Sequence, residues 1–290
     1  MKKLIALLLI LPIWPLSSMD YVRKLFVKQS NMSKSVTIKD EGTAQVSNLV
    51  IPKVAVLTIT NDLSFKDTMI SLVQISKNPE IQAILLVVEN YGGEGSIFSA
   101  LHDTIKQIAR KKSVIALVVT AFSGAYMLAC AADYIIAHCA SEVGNIGVIV
   151  EVQKYKNPKI RGNLKADLEV EVFFAGEYKV VSNPYKIITD QEKKYINERI
   201  KKYYDIFINL VARSRNLDVG TYLDWAEGKI FAAPEALSLG LIDEIGTIFD
   251  ADKKLFELIC QKNPDKQFDK EIVHIDFSTQ QNMQFPKENK

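Results

Sequence analysis

Four continuous apolar runs, evenly interrupted, constrain this chain more than any other feature. They read VAVLTIT (54–60), AILLVVE (83–89), SVIALVVTAF (113–122) and YIIAHC (134–139). Each is β-branched and unbroken by polar alternation, the signature of a strand covered on both faces. Between them lie helical patterns. SFKDTMISLVQISKN (64–78) carries apolar residues at Met69, Ile70, Leu72, Val73 and Ile75 behind Ser64, a candidate N-cap. IFSALHDTIKQIARKK (97–112) is amphipathic and basic in its last turn, and GAYMLACAA (124–132) is a helix of small residues. The order β-α-β-α-β-α-β predicts an α/β fold with parallel strands and right-handed crossovers.

Beyond these units lie GNIGVIVEVQ (144–153), LEVEVFFAG (168–176) and a long helix from about Thr189 to Arg215, opened by the capping box Thr189-Asp190-Gln191-Glu192. A shorter helical region follows near 218–227, then APEALSLGLIDEIG (233–246). The segment EIVHIDF near the tail reads as one further strand, placed to cover a sheet edge or reach a neighbour. The expected organisation is an N-terminal segment 1–18, a polar linker 19–52, a core 53–250 and a C-terminal helix and extension 251–290.

Residues 1–18, MKKLIALLLILPIWPLSS, pair two lysines with an apolar run from Leu4 to Leu16. That run is short for a spanning helix, and Pro12 and Pro15 would break one. It reads as an export signal, with Leu16-Ser17-Ser18 as a weak cleavage site, or as an uncleaved membrane anchor. In either case the remainder is expected outside the cytoplasm. A net charge of +2 gives no electrostatic footprint for nucleic acid, and basic stretches such as KYKNPK (154–159) read as solvated loops. Three cysteines without CxxC spacing give neither a disulfide framework nor a zinc site; Cys130 and Cys139 read as buried small hydrophobes. No phosphate loop or ligand cluster is present in the pattern, so no cofactor or metal is expected.

Ligands of open α/β sheets bind at the carboxyl ends of strands. Two glycine-containing turns occur there: YGGEGS (91–96) and FSGA (122–125). Backbone N–H groups of Gly92, Gly93 and Gly124 are candidate donors to a developing oxyanion, with Ser123 as nucleophile. The competing reading makes Ser123 only a helix N-cap. A nucleophilic serine needs a base, and the three histidines are poorly placed: His102 lies mid-helix as a surface or boundary residue, His138 in a core strand, His274 near the tail. Lysine is the alternative if its environment keeps it neutral. Lys179, in FFAGEYKVVSNPY (173–185), is set apart by apolar neighbours, with Glu177 acting against it.

These pieces together resemble the signal peptide peptidase A (protease IV) family, Ser-Lys peptidases on the Clp/crotonase-like fold. The family's Ser-Pro-Gly-Gly turn is matched by Asn90-Tyr91-Gly92-Gly93, and its Ser-Gly-Gly-Tyr by Ser123-Gly124-Ala125-Tyr126. Ala131-Ala132-Asp133, Gly144-Asn145-Ile146-Gly147-Val148 and Gly176-Glu177-Tyr178-Lys179 follow in order. The run GKIFAAPEALSLGLIDEIG closes the series, with Gly228, Phe231, Ala236, Gly240, Leu241, Asp243 and Gly246.

The resemblance spans about residues 53–250 and implies Ser123 as nucleophile, Lys179 as general base and Asn145 where a serine usually orients the lysine. It also implies apolar peptide substrates such as cleaved signal peptides, membrane association facing the periplasm or extracytoplasmic space, and a ring-like homo-oligomer whose active sites combine residues of neighbouring copies. Three positions depart from the family: Tyr91 for proline, Ala125 for glycine and Asn145 for serine. An asparagine carbonyl accepting from the lysine ammonium would favour its charged form and weaken it as a base. Two alternatives stand beside the peptidase: a non-catalytic scaffold on the same fold, and a crotonase-type acyl-CoA hydratase or isomerase using Glu94 and Glu142, which an export signal disfavours.

Overall fold

A computed structural model of the chain describes residues 49–154 and 172–278. Residues 1–18, the linker up to residue 48, the KYKNPK stretch beyond Lys154, the first part of LEVEVFFAG and the last twelve residues lie outside the described residues.

The four apolar runs form strands β1 (Lys53–Ile59), β2 (Ile81–Asn90), β3 (Ser113–Phe122) and β4 (Tyr134–Gly144). Helices α1 (Phe65–Lys77), α2 (Gly95–Ala109) and α3 (Gly124–Ala129) cross between them. Then come α4 (Asp190–Arg215), a short 3-10 turn, α5 (Tyr222–Trp225), β5 (Ile230–Ala232), α6 (Ala233–Ser238), β6 (Glu244–Ile245), α7 (Ile248–Lys262) and β7 (Val273–Asp276). The seven-stranded sheet runs β5-β4-β3-β2-β1-β7, with β6 also on β4. β1 to β4 are parallel in sequence, β7 adds a parallel edge on β1, and β5 runs antiparallel to β4. The fold is α/β, a mostly parallel sheet with helices on both faces.

Alternate residues of each strand feed two apolar layers. Ala55, Leu57, Ile59, Ile84, Leu86, Val88, Ala116 and Val118 pack under α1, α2, α3 and the second half of α4. Val54, Val56, Ala83, Leu85, Val87, Ile115 and Leu117 pack on Ala251, Leu255 and Ile259 of α7 and on Phe268. Both layers exclude water, which is why these strands carry no polar alternation. The folded unit therefore continues through α7 and β7, past residue 250. EIVHIDF supplies β7, and His274 within it is buried and pairs with Asp252 at 2.8 Å.

Helix starts follow the residues that read as caps. The Ser64 hydroxyl accepts from the Asp67 amide, and Thr189 and Glu192 bond reciprocally across the first turn of α4. α4 ends on Asn216, whose φ of 54° supplies the left-handed stop.

Four sequence expectations are corrected. α3 stops at Ala129, six residues in, where GAYMLACAA promised a longer helix. Cys139 is exposed and His138 only half-buried. The reason is a bulge: β4 advances from Ala137 to Glu142 while its partner β3 advances only from Val118 to Thr120. The extra residues of β4 swing outward, and Ser141 ties the excursion back by donating to the Val118 carbonyl at 2.7 Å. His102 is buried rather than at a boundary, its Nδ1 3.0 Å from Asp103, and burial lowers its pKa.

Candidate active site

Adjacent strands deliver the site from their carboxyl ends. Asn90 of β2 stands opposite Ala121 of β3, and Phe122 stands opposite Gly144 of β4. The next residues out are Tyr91-Gly92-Gly93, Ser123-Gly124 and Asn145, three loops side by side on one edge of the sheet.

Ser123 has φ 51° and ψ −121°, a left-handed conformation that a serine rarely adopts. Holding it costs about 1–3 kcal/mol, and such strain concentrates where a side chain must be presented. The backbone is pinned on both sides: the Ser123 amide donates to the Gly144 carbonyl at 2.8 Å, and the Ser123 carbonyl accepts from Met127 at 3.0 Å. Its hydroxyl makes no capping bond to α3, so the N-cap reading is not met. A serine presented on a sharp strand-to-helix turn matches the geometry in which a nucleophilic hydroxyl is exposed at a sheet end.

Gly92 presses directly on this turn. A Cβ there would lie 2.7 Å from the Phe122 oxygen, 2.8 Å from Ser123 Cβ and 3.0 Å from the Gly124 nitrogen, and φ is 93°. Gly124 is equally obligatory, since a Cβ would overlap the Phe98 ring. The Gly92 amide is already engaged, donating to Asn90 Oδ1 at 2.7 Å. Among the described residues, the amides of Gly93 and Gly124 have no acceptor, which leaves these two as the unengaged donors in the turns around Ser123. With α3 only six residues long, the individual N–H groups rather than a helix dipole supply the positive field.

Asn145 has φ 51° and is clamped by the loop before β5. Its amide donates to Lys229 O at 2.6 Å and its Nδ2 donates to Gly228 O at 3.1 Å. Gly228 in turn donates to Ile146 O at 2.9 Å. Among the described residues the Asn145 Oδ1 accepts no hydrogen bond. The stretch GKIF is the brace that fixes it.

Lys179 is exposed, in a turn closed by its own amide to Gly176 O at 3.0 Å. Among the described residues its Nζ has no hydrogen bond or ion pair with Ser123, Asn145 or any other group. Its segment is anchored elsewhere. Lys154 Nζ donates to Val181 O at 2.6 Å and Asn183 O at 2.7 Å, and Lys186 pairs with buried Glu192 at 2.6 Å. The Lys186 and Thr189 bonds hold the Glu192 carboxyl down to about 2. Phe173 is 88% exposed upstream of Lys179, as is Ile149 downstream of Asn145.

Several residues of the recurring motifs serve packing. Tyr126, fully buried, donates to Leu241 O at 2.7 Å, and burial raises its pKa well above the ordinary phenol value. Cys130 beside it is buried and its thiol is pushed up to about 12, an inert filler. Arg215 forks onto Asp243 at 2.8 and 2.9 Å, and Asp243 accepts from the Ile135 amide at 2.7 Å. Asp133 pairs with Lys262 at 2.7 Å. Glu94 and Glu142 are both exposed, the first engaged by Ser96 at 2.6 Å and the second in β4 opposite Ala232.

Comparison with known proteins places these features. The model described as Peptidase family S49 matches residues 106–261. A protein named as a protease from Methanocaldococcus jannaschii is 36% identical, over 66% of this chain and 60% of that one. A protein named as signal peptide peptidase SppA from Enterococcus faecium is 31% identical, over 62% of this chain and 52% of that one. A protein named as protease SohB from Haemophilus influenzae is 26% identical, over 81% of this chain and 63% of that one. The chain thus spans about half to two thirds of the length of these relatives.

Proposed function

This chain belongs to peptidase family S49, and from that premise we propose that it is a serine endopeptidase in which Ser123 is the nucleophile and Lys179 the general base. The observation that carries the reading is the strained Ser123, capping nothing, with Gly92 pressed against its turn.

The reaction is acyl transfer. Neutral Lys179 takes the Ser123 hydroxyl proton as Oγ bonds to the peptide carbonyl carbon. The carbonyl oxygen becomes an oxyanion that accepts from the Gly93 and Gly124 N–H groups. Collapse breaks the C–N bond, the lysine returns its proton to the leaving amine, and water hydrolyses the acyl-enzyme.

Lys179 is exposed and makes no bond to Ser123 among the described residues, so the dyad forms between copies: Lys179 of one copy approaches Ser123 and Asn145 of its neighbour in a homo-oligomer. The exposed Ile149 and Phe173 support this, since each offers apolar surface near a strand end or lysine segment that a second copy or an apolar peptide would cover. The substrates are cleaved signal peptides or other apolar peptides at a membrane, with the N-terminal segment as export signal or anchor and the active site on the extracytoplasmic side. Among the described residues no helix is long and apolar enough to cross a membrane.

The second reading is a non-catalytic protein of the same fold, favoured by Asn145 at the serine position and by the exposure of Lys179. Acylation of the full-length chain by a fluorophosphonate separates the two. Labelling at Ser123 that requires Lys179 supports the peptidase; a folded, unlabelled oligomer supports the scaffold.

A further inference from the structure

The turn after β2 has no proline, so its backbone must be fixed by other means. Tyr91 carries an amide hydrogen that a proline would lack, and Asn61 Oδ1 accepts it at 2.9 Å. Asn90, 2% exposed, works on the adjacent groups: its Oδ1 accepts from the Gly92 amide at 2.7 Å, and its Nδ2 donates to the Thr60 carbonyl. Thr60 and Asn61 directly follow β1. The exit of β1 therefore grips the exit of β2 through both asparagines, and consecutive amides of the turn, Tyr91 and Gly92, are both satisfied from within the protein. The first amide left over is that of Gly93, next along the chain from Gly92, which packs against Ser123.

We propose that Asn61 and Asn90 are positioning residues for the oxyanion hole, locking the Gly92–Gly93 peptide so that the Gly93 N–H points at the oxygen that becomes charged. The inference rests on Ser123 being the nucleophile. Neither asparagine touches substrate; each acts through the turn. The warrant is preorganisation: a donor already aimed costs no reorganisation in the transition state, and a hydrogen bond weakens steeply as its angle opens. Losing one oxyanion donor outright lowers kcat about 100- to 1000-fold, so a donor that is retained but loosened is expected to cost about tenfold.

The test uses the full-length chain with N61A, N61D, Y91P and the double variant N61A/Y91P. The readouts are the fluorophosphonate acylation rate at Ser123 and kcat and KM on an apolar fluorogenic peptide. N61A is expected to lose about tenfold in kcat and acylation rate with KM changed less than about twofold. N61D keeps an acceptor for the Tyr91 amide and retains activity. In N61A/Y91P the proline has no amide hydrogen to leave unsatisfied, and β-region Asn90 tolerates a following proline, so activity returns to within about threefold of wild type. A folded N61A with wild-type kcat, or a double variant no faster than N61A, overturns the proposal. Should wild type itself fail to acylate, the nucleophile reading falls and the oxyanion-hole role with it, and the clamp on the turn alone is judged by amide exchange. Exchange at Tyr91 and Gly92 that speeds at least about tenfold in N61A supports it, and unchanged exchange overturns it.

Discussion

Gly92 and Ser123 sit so close that a methyl group on the glycine would lie 2.8 Å from the serine Cβ, with the Phe122 carbonyl oxygen 2.7 Å away on the other side. The φ of 93° at Gly92 adds a conformational penalty to the clash. Gly92→Ala is therefore expected to cost about 2 kcal/mol or more of stability, read as a shift in urea midpoint. In the fraction that folds, it is expected to abolish acylation at Ser123. Wild-type labelling in a stable Gly92→Ala protein would show that the turn does not press on the nucleophile.

The exposed position of Lys179 leads to a mixing experiment. Ser123→Ala and Lys179→Ala should each be inactive alone. Combined and allowed to exchange subunits, they should recover a fraction of activity, about a quarter or less on statistical grounds for sites that pair adjacent copies. Peptide hydrolysis before and after mixing decides it, and a mixture that stays inactive despite demonstrated exchange places both residues in one chain.

Much of this architecture could be read directly from the residues. The four apolar runs are strands because both faces of β1 to β3 are covered, and that two-sided burial is written locally as uninterrupted Val, Ile, Leu and Ala. Caps at Ser64 and Thr189 are equally local. The β4 bulge was not legible, because His138 and Cys139 are turned outward by a mismatch with β3, a property of two strands together. That Ser123 and the glycine turns stand at strand ends was legible from the apolar runs that precede them. The Asn61 and Asn90 bonds could not, since they join residues about thirty positions apart, although an asparagine directly before YGG was the available signal. Lys179 stands out by its apolar neighbours, and under the proposed dyad between copies its partner would lie outside one chain's contacts.

Glu192 gives a pH signature at the base of the Lys179 segment. Lys186 and the Thr189 amide hold its carboxyl down to about 2 in the folded protein, below the unfolded value of about 4.3. The folded value is depressed, so the stabilisation is fully present above about pH 5 and is lost as pH falls toward 2. Thermal melts of wild type and Glu192→Gln should differ most above about pH 5 and converge toward pH 2. A gap that stays constant across that window would show that the ion pair is not the source.

The Arg215–Asp243 fork joins the end of α4 to the strand β4 through the Ile135 amide. The Arg215 side chain is 8% exposed. Arg215→Ala leaves a partly buried carboxylate without its partner and is expected to cost about 3 kcal/mol, measured by urea unfolding. Loss below about 1 kcal/mol would mark the pair as an exposed, screened one.

The central claim is that Ser123 is a nucleophile. The full-length chain would be treated with a fluorophosphonate and examined by intact mass and peptide mapping. The account predicts one adduct per active copy, located on Ser123, absent in Ser123→Ala and strongly reduced in Lys179→Ala. A folded wild-type protein that forms no adduct, or forms it on another residue, would contradict it.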